Sequence, residues 1–225
     1  MELTEMMKRK LENGREYRAL KLEIVEEDES EKIVEGYATT FNEPYYLYQF
    51  TDEAEQHIVR EQVDAEAFTD ADMSDVIFQY DHEGRVFARL SNGTMQLKAD
   101  AHGLKVRANL GGTEIGRNLY EEIKGGYTNK MSFGFTVADD DITADGERDF
   151  LRTIRRIGKL FDVSAVSYPQ NNFTEITARN HCEGAIAEIE AERLRAAEEE
   201  RRKQERKENL LGRIQKLKGE QGHGN

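Results

Sequence analysis

Hydrophobic and polar residues alternate along much of the first 178 residues, and this period of two is typical of β-strands. Between residues 15 and 42 the alternation predicts a pair of strands with an acidic stretch between them. Residues 41–55 are rich in Tyr and Phe but have no period and contain Pro44, so we expect a long loop there. Further short strands are predicted at 76–80, 95–98, 104–110, 130–137, 150–157, 160–167 and 175–177, most of them separated by Gly, Asn or Asp.

Two segments follow a helical pattern instead. Within residues 113–124, Ile115, Leu119 and Ile123 recur every four positions, and glycine follows at 125 as a helix stop. Residues 183–218 contain 19 Lys, Arg or Glu side chains among 36 positions and no proline, which predicts a long charged helix. Its few apolar residues fit only a broken heptad, so a solvated helix and a coiled coil are equally open interpretations.

The expected fold class is therefore mainly β with a few helices, ending in a long charged helix. The hydrophobic fraction, 37% of 225 residues, is low for a wholly globular chain. We expect a flexible N-terminal segment at residues 1–14, a β-rich domain at 15–178, and a charged helical or coiled-coil tail at 179–225. Part of that tail, residues 219–225, is expected to be disordered.

Charge and cysteine content limit the partners and the compartment. The net charge of −13 makes nucleic acid and anionic lipid surfaces unfavourable partners. The lone Cys182 cannot form an internal disulfide or a Cys-x-x-Cys motif, which fits a reducing compartment. No apolar stretch is long enough for a signal peptide or a membrane-spanning helix. We expect a protein made in a cytoplasm, with no nucleic acid and no membrane partner.

Among five histidines, only His82 has a suggestive position. The histidines lack the spacing of metal ligands, so we expect no metal and no cofactor. His82 follows the apolar strand predicted at 76–80, within the turn-forming residues 81–84. Catalytic groups are often displayed on such loops, although an ordinary exposed loop histidine is the simpler interpretation.

Ser132 is a candidate nucleophile on a predicted strand. Alternation places it on the face opposite Met131 and Phe133. A serine hydroxyl attacks near neutral pH only when a base takes its proton. Lys130 occupies the place where the Gly-x-Ser-x-Gly elbow of many hydrolases has glycine, so the local sequence by itself favours an ordinary sheet serine.

Asp162 is a candidate third member of the same group. It lies in an otherwise apolar predicted strand, where a carboxylate without a partner is costly to bury. It could orient a histidine and stabilise the imidazolium. The alternative is a salt bridge to Arg155 or Arg156.

The order of segments across residues 17–178 resembles the prohead (procapsid) maturation proteases of tailed bacteriophages. Five stretches carry the resemblance: Glu35-Gly36-Tyr37-Ala38-Thr39-Thr40-Phe41-Asn42, Glu66-Ala67-Phe68, Tyr80-Asp81-His82, Met131-Ser132-Phe133-Gly134-Phe135, and Asp162-Val163-Ser164-Ala165-Val166 followed by Tyr168-Pro169. Each fragment alone is unspecific, and their order and spacing together are specific. The chain departs from the usual family pattern at Glu66 and around Tyr80. It also has Asp162 where a longer Glu is usual.

The resemblance implies a serine endopeptidase with a β-barrel body like that of the herpesvirus assemblin proteases. His82 would be the base, Ser132 the nucleophile and Asp162 the third member. The substrates would be the scaffolding segment of the major capsid protein and the protease itself, cut inside the immature capsid in the bacterial host cytoplasm. The tail could dock on scaffold helices, with self-cleavage near residues 177–184, and the body could form homo-oligomers.

A non-catalytic capsid assembly or scaffolding protein is the alternative. In that interpretation the β-rich body binds the shell and the charged tail is an internal scaffold. The two hypotheses differ in whether Ser132 performs chemistry.

Overall fold

The computed structural model describes residues 15–24, 31–52, 55–146, 148–167 and 171–221, so the predicted flexible segment at 1–14 lies outside it. Two helices are present in this part of the chain, α1 (Glu114–Lys124) and α2 (Asn171–Gln221). The strands are β1 (Arg15–Ile24), β2 (Ile33–Thr40), β3 (Tyr45–Asp52), β4 (Glu55–Val63), β5 (Ile77–Tyr80), β6 (Glu83–Arg89), β7 (Met95–Ala99), β8 (Gly103–Asn109), β9 (Lys130–Ala144) and β10 (Asp149–Val166). The prediction of a mainly β protein is confirmed.

All ten strands belong to one sheet. The hydrogen-bonded path runs β3-β4-β10-β9-β1-β2-β8-β7, and the hairpin of β5 and β6 joins it because β5 also pairs with β10. Most neighbours are antiparallel, whereas β10 is parallel to both β4 and β5. Strand β10 therefore contacts three other strands and lies at the centre of the sheet. Closure of this sheet into a barrel stays a prediction.

The long hairpin of β9 and β10 differs from the prediction of two short strands at 150–157 and 160–167. Strand β10 is continuous over 18 residues. Its pairing with β9 shifts register at several points between Ile154 and Asp162. Such irregularities change which side chains face each side of the sheet, so the alternation is interrupted although the strand is not.

Three further predictions of local structure were wrong. The expected loop at 41–55 contains β3, where a register shift between Tyr46 and Tyr48 removes the period of two that would have revealed a strand. Residues 175–177, predicted as a strand, lie inside α2. Residues 219–221 also belong to α2, whereas 222–225 lie outside the described part.

Helix α1 forms as predicted. Thr113 is its N-cap, and the Thr113 side chain accepts a hydrogen bond from the backbone N–H of Gly116. The helix ends at Lys124, and the backbone N–H of Gly125 donates to the carbonyl of Glu121. The buried face carries Leu119 and Ile123, four positions apart. This spacing is the one from which the helix was predicted.

The interior contains an apolar core and, separately, a buried cluster of charges. Among the fully buried apolar side chains are Ala38, Val63, Phe78, Phe133, Phe135, Ile154 and Val163. Arg152 of β10 is 1% exposed and donates hydrogen bonds to Glu16, to Glu61 and to Asp140. Arg18 adds bonds to Glu61 and Glu16. Buried charges need such partners, because an isolated one would lose its hydration without compensation.

The chain divides into two compact units, Met1–Cys182 and Glu183–Asn225. In the second unit, the exposed apolar side chains of α2 include Leu194, Leu210 and Leu211. The predicted charged helix is confirmed, and the coiled coil stays a prediction. No helix within the described residues is long and apolar enough to cross a membrane.

Candidate active site

His82 lies in a two-residue turn between β5 and β6. Tyr80 pairs with Glu83 across the turn, so Asp81 and His82 are its two central residues. Both have positive φ, 47° for Asp81 and 61° for His82. Positive φ at both central positions is what the hairpin turn that matches β-sheet twist requires. Non-glycine residues adopt it at some cost, and such conformations cluster at functional sites.

The turn is attached to the end of β10 through Asp81. The backbone N–H of Asp81 donates to the carbonyl of Ala165 over 2.9 Å. The Asp81 carboxylate in turn accepts bonds from the backbone N–H and the hydroxyl of Ser167. Strand β10 also carries Asp162, so these contacts hold the His82 turn against the strand that provides the carboxylate.

A hydrogen bond joins His82 to Asp162. The distance from His82 Nδ1 to Asp162 Oδ1 is 2.5 Å, and the Asp162 side chain is 3% exposed. Ser164 Oγ donates to the same carboxylate oxygen over 2.9 Å. When Nδ1–H donates to the carboxylate, Nε2 carries the lone pair and can accept a proton. The bond therefore selects the tautomer that a general base needs.

Strand register places Ser132 beside this pair. On the sheet, Ser132 of β9 is directly opposite Ser164 of β10, and Gly134 is directly opposite Asp162. Directly opposed residues share a face, and so do residues two apart, so these four positions lie on one face. Ser132 and Asp162 are diagonal neighbours, which in antiparallel pairs lie roughly 7–8 Å apart.

Tyr17 is part of the site, and sequence reasoning missed it. It is paired with Gly134 from the opposite side, through β1, and its ring centroid lies 4.3 Å from that of His82. Burial, together with the nearby carboxylate of Asp162, raises the pKa of Tyr17 to about 12. The only advance signal is its position in a period-two strand, which does not distinguish it from any other strand tyrosine.

Gly134 makes room for these side chains. A Cβ at this position would lie 2.7 Å from Asp162 Oδ2 and 2.8 Å from Tyr17 Cε1, both closer than real Cβ atoms approach. Asp162 and Tyr17 therefore converge over Gly134, and the imidazole of His82 contacts both. Ser132 lies two residues away on the same face of β9, roughly 7 Å along the strand.

The structure brings the three predicted residues into one region, with different degrees of contact. His82 and Asp162 are directly bonded, whereas Ser132 is placed by strand register rather than by a hydrogen bond between described residues. Hydrogen bonds to a catalytic base often tighten only when substrate is bound. Arg155, the alternative partner of Asp162, pairs with Asp141 and Asp64 instead.

An imidazole bonded to a buried carboxylate, with a serine on the same sheet face, is the arrangement of a serine hydrolase. The chain belongs to the caudovirus prohead serine protease family, whose sequence profile matches residues 19–186. It is thus a serine protease of the class that acts in phage capsid maturation. Within the described residues, no group of three or more His, Cys, Asp or Glu side chains could hold a metal ion.

One solved structure to which the chain is similar is that of the bacteriophage T4 capsid assembly protease, gp21. The similarity covers 67% of this chain and 98% of that chain, at 10% sequence identity and a TM-score of 0.29. No curated protein matches the sequence.

Proposed function

We propose that this chain is the endopeptidase that cuts the scaffolding segment of the major capsid protein, and itself, during prohead maturation. The observation that carries the proposal is the 2.5 Å bond from His82 Nδ1 to Asp162 Oδ1 in a member of the prohead serine protease family. The β-rich body at residues 15–178 would perform the chemistry. The tail at 179–225 would bring it to the scaffold, inside an immature shell assembled in the host cytoplasm.

Ser132, His82 and Asp162 have separate roles in the proposed reaction. Ser132 Oγ attacks the scissile carbonyl carbon while its proton passes to His82 Nε2. The imidazolium returns that proton to the leaving amine, and Asp162 stabilises the cation through Nδ1. Water then hydrolyses the acyl ester with His82 again as the base, which regenerates the Ser132 hydroxyl.

Asp162 reaches His82 although it is shorter by one methylene than the Glu usual at this position. Two features of the structure support its role. The His82 turn is tied to β10 by Asp81, and Gly134 leaves space for the carboxylate. Ser164 fixes the carboxylate from the same strand. These contacts hold the shorter side chain against the ring.

Self-cleavage near residues 177–184 would need a local change in structure. These residues lie within α2, and Cys182 is fully buried. Peptides commonly bind proteases in an extended form that pairs with a strand. We propose that this segment is cut only after the helix unwinds there.

The test compares wild-type protein with Ser132→Ala, and uses Ser74→Ala as the control for loss of a serine hydroxyl. Ser74 is an exposed serine whose hydroxyl donates to Asp72, outside the candidate site. We expect a serine-directed fluorophosphonate to label wild type and Ser74→Ala but not Ser132→Ala. Mass spectrometry should find shortened products only where labelling occurs. Equal behaviour of wild type and Ser132→Ala would refute the enzyme and favour the non-catalytic scaffold.

A further inference from the structure

A cleft of about 480 Å³ lies between the β5–β6 hairpin and helix α1, next to the turn that carries His82. Tyr80 and Glu83, the two residues that flank the His82 turn, both line it. The catalytic imidazole and the cleft are therefore held by the same short hairpin. A substrate positioned for attack beside His82 has this cleft as a neighbouring binding surface.

The lining combines apolar walls with carboxylates. Strand β6 contributes Glu83 and Phe87, which share one face because they are four residues apart in a strand. Helix α1 contributes Ile115, Leu119 and Glu122 at the i, i+4 and i+7 spacing of one helix face. Such a surface suits a long aliphatic chain that ends in a positive group.

Arg85 also lines the cleft and does not neutralise Glu83. It is exposed, and none of the ion pairs between described residues joins it to Glu83. With two carboxylates and one guanidinium, the lining has a formal charge of −1. The cleft therefore favours a cation over an anion.

Glu83 gives the cleft its strongest chemical signal. Its Oε1 is buried and has no hydrogen-bond partner among the described residues. A buried carboxylate oxygen without a donor is costly, so the Glu83 carboxylate would gain by turning into the cleft, where a ligand can supply the donor. The charge of Glu83 also acts on Tyr17, whose ring packs against His82 at a tilt of 60°. The unpartnered oxygen thus lies close to the catalytic group.

We infer that this cleft is the subsite for a basic side chain, Lys or Arg, next to the scissile bond of the peptide substrate. The aliphatic stem lies between Phe87 and Leu119, and the positive head donates to the Glu83 carboxylate once that side chain has turned into the cleft, with Glu122 adding attraction. Lys and Arg bury their stems along apolar surfaces in this way while the head keeps polar partners. The inference rests on the proposed protease function and specifies which peptide that protease selects.

The test is a cleavage-specificity profile on a peptide mixture of diverse sequence. The mixture is made by digesting a bacterial lysate with a protease that does not cut at Lys or Arg, so that these residues lie inside the peptides. Wild-type enzyme cuts this mixture, and mass spectrometry of the new termini gives the residue frequency at each position around the cut. We expect Lys and Arg to be enriched at one position. In Glu83→Gln that enrichment should fall on the order of tenfold, the usual effect of removing a hydrogen bond to a charged group.

Controls separate this inference from the protease function itself. Glu121→Gln removes a neighbouring carboxylate that pairs with Lys32 and does not line the cleft, so its profile should match wild type. Glu83→Lys should shift the preference towards acidic residues. If Glu83→Gln fails to fold, Glu122→Gln should still reduce the enrichment severalfold.

Two outcomes overturn the inference in different ways. Wild-type cleavage without any preference for Lys or Arg, or an unchanged profile in Glu83→Gln, would refute the subsite and leave the protease intact. Absence of both cleavage and fluorophosphonate labelling in wild type would refute the protease, and the subsite with it.

Discussion

Replacing Gly134 with alanine tests the geometry around the proposed catalytic carboxylate, Asp162, without removing any proposed catalytic group. The new Cβ would lie 2.7 Å from Asp162 Oδ2 and 2.8 Å from Tyr17 Cε1. Both neighbours are partly or fully buried, and Gly134 itself lies in the middle of β9. The carboxylate therefore has to move, together with the tyrosine ring that packs on His82.

The size of the displacement follows from the contact distances. Relief from 2.7 Å to the 3.4 Å of an ordinary contact needs a shift of about 0.7 Å. Applied to the 2.5 Å bond between His82 and Asp162, that shift gives about 3.2 Å, the outer limit of a good hydrogen bond. A misplacement near 1 Å at a catalytic group can lower the rate about 100-fold. Overpacking of this kind costs about 1–3 kcal/mol of stability.

The assay measures kcat and KM on a cleavable peptide, with thermal unfolding in parallel. We expect Gly134→Ala to lower kcat about 100-fold with little change in KM, since the peptide-binding surface is unaltered. Gly158→Ala is the matched control, because its Cβ would meet nothing closer than Thr136 Oγ1, at 3.2 Å, away from the site. Wild-type kcat in a folded Gly134→Ala protein would refute the role of Asp162.

Two further predictions concern α2. Gly184 lies within the helix and a Cβ there meets open space, so Gly184→Ala should stabilise the helix by about 0.5–1 kcal/mol. Self-cleavage near 177–184 should then slow about two- to fivefold, whereas Gly212→Ala, also in open space, should leave the cleavage rate unchanged. Equal rates in all three proteins would contradict the need for unwinding. Burial raises the pKa of Cys182 to about 11 from an ordinary value near 9. At pH 8 its alkylation by iodoacetamide should therefore be about 100-fold slower in the native protein than in urea, and similar rates would show that the thiol is not buried.

Local pattern predicted much of the secondary structure because it depends on neighbours in the chain. The helix at Glu114–Lys124 has its cap, its apolar spacing and its glycine stop within a dozen residues. Strand β3 was missed for the complementary reason, since its irregular pairing with β4 erases the alternation. Strand β10 was divided into two for the same reason.

For the candidate site, the sequence suggested residues but left their contacts open. From the sequence, Asp162 could pair with a histidine or form a salt bridge with an arginine. The structure distinguishes the two, because Arg155 bonds to Asp141 and Asp64. The partner of Asp162 is His82. Tyr17 was not recognised, because nothing in a strand's own alternation shows which aromatic ring will lie against a histidine 65 positions later.

The amino-acid sequence by itself determined the mainly β class, the capped helix α1, the charged helix and the candidates Ser132 and His82. Only the tertiary structure decided that Tyr17, Gly134 and Asp162 meet on one sheet face, and that Arg152 is buried among carboxylates. The physical reason is that the period of two defines the two faces of each strand, whereas the choice and register of neighbouring strands depend on pairing between distant parts of the chain.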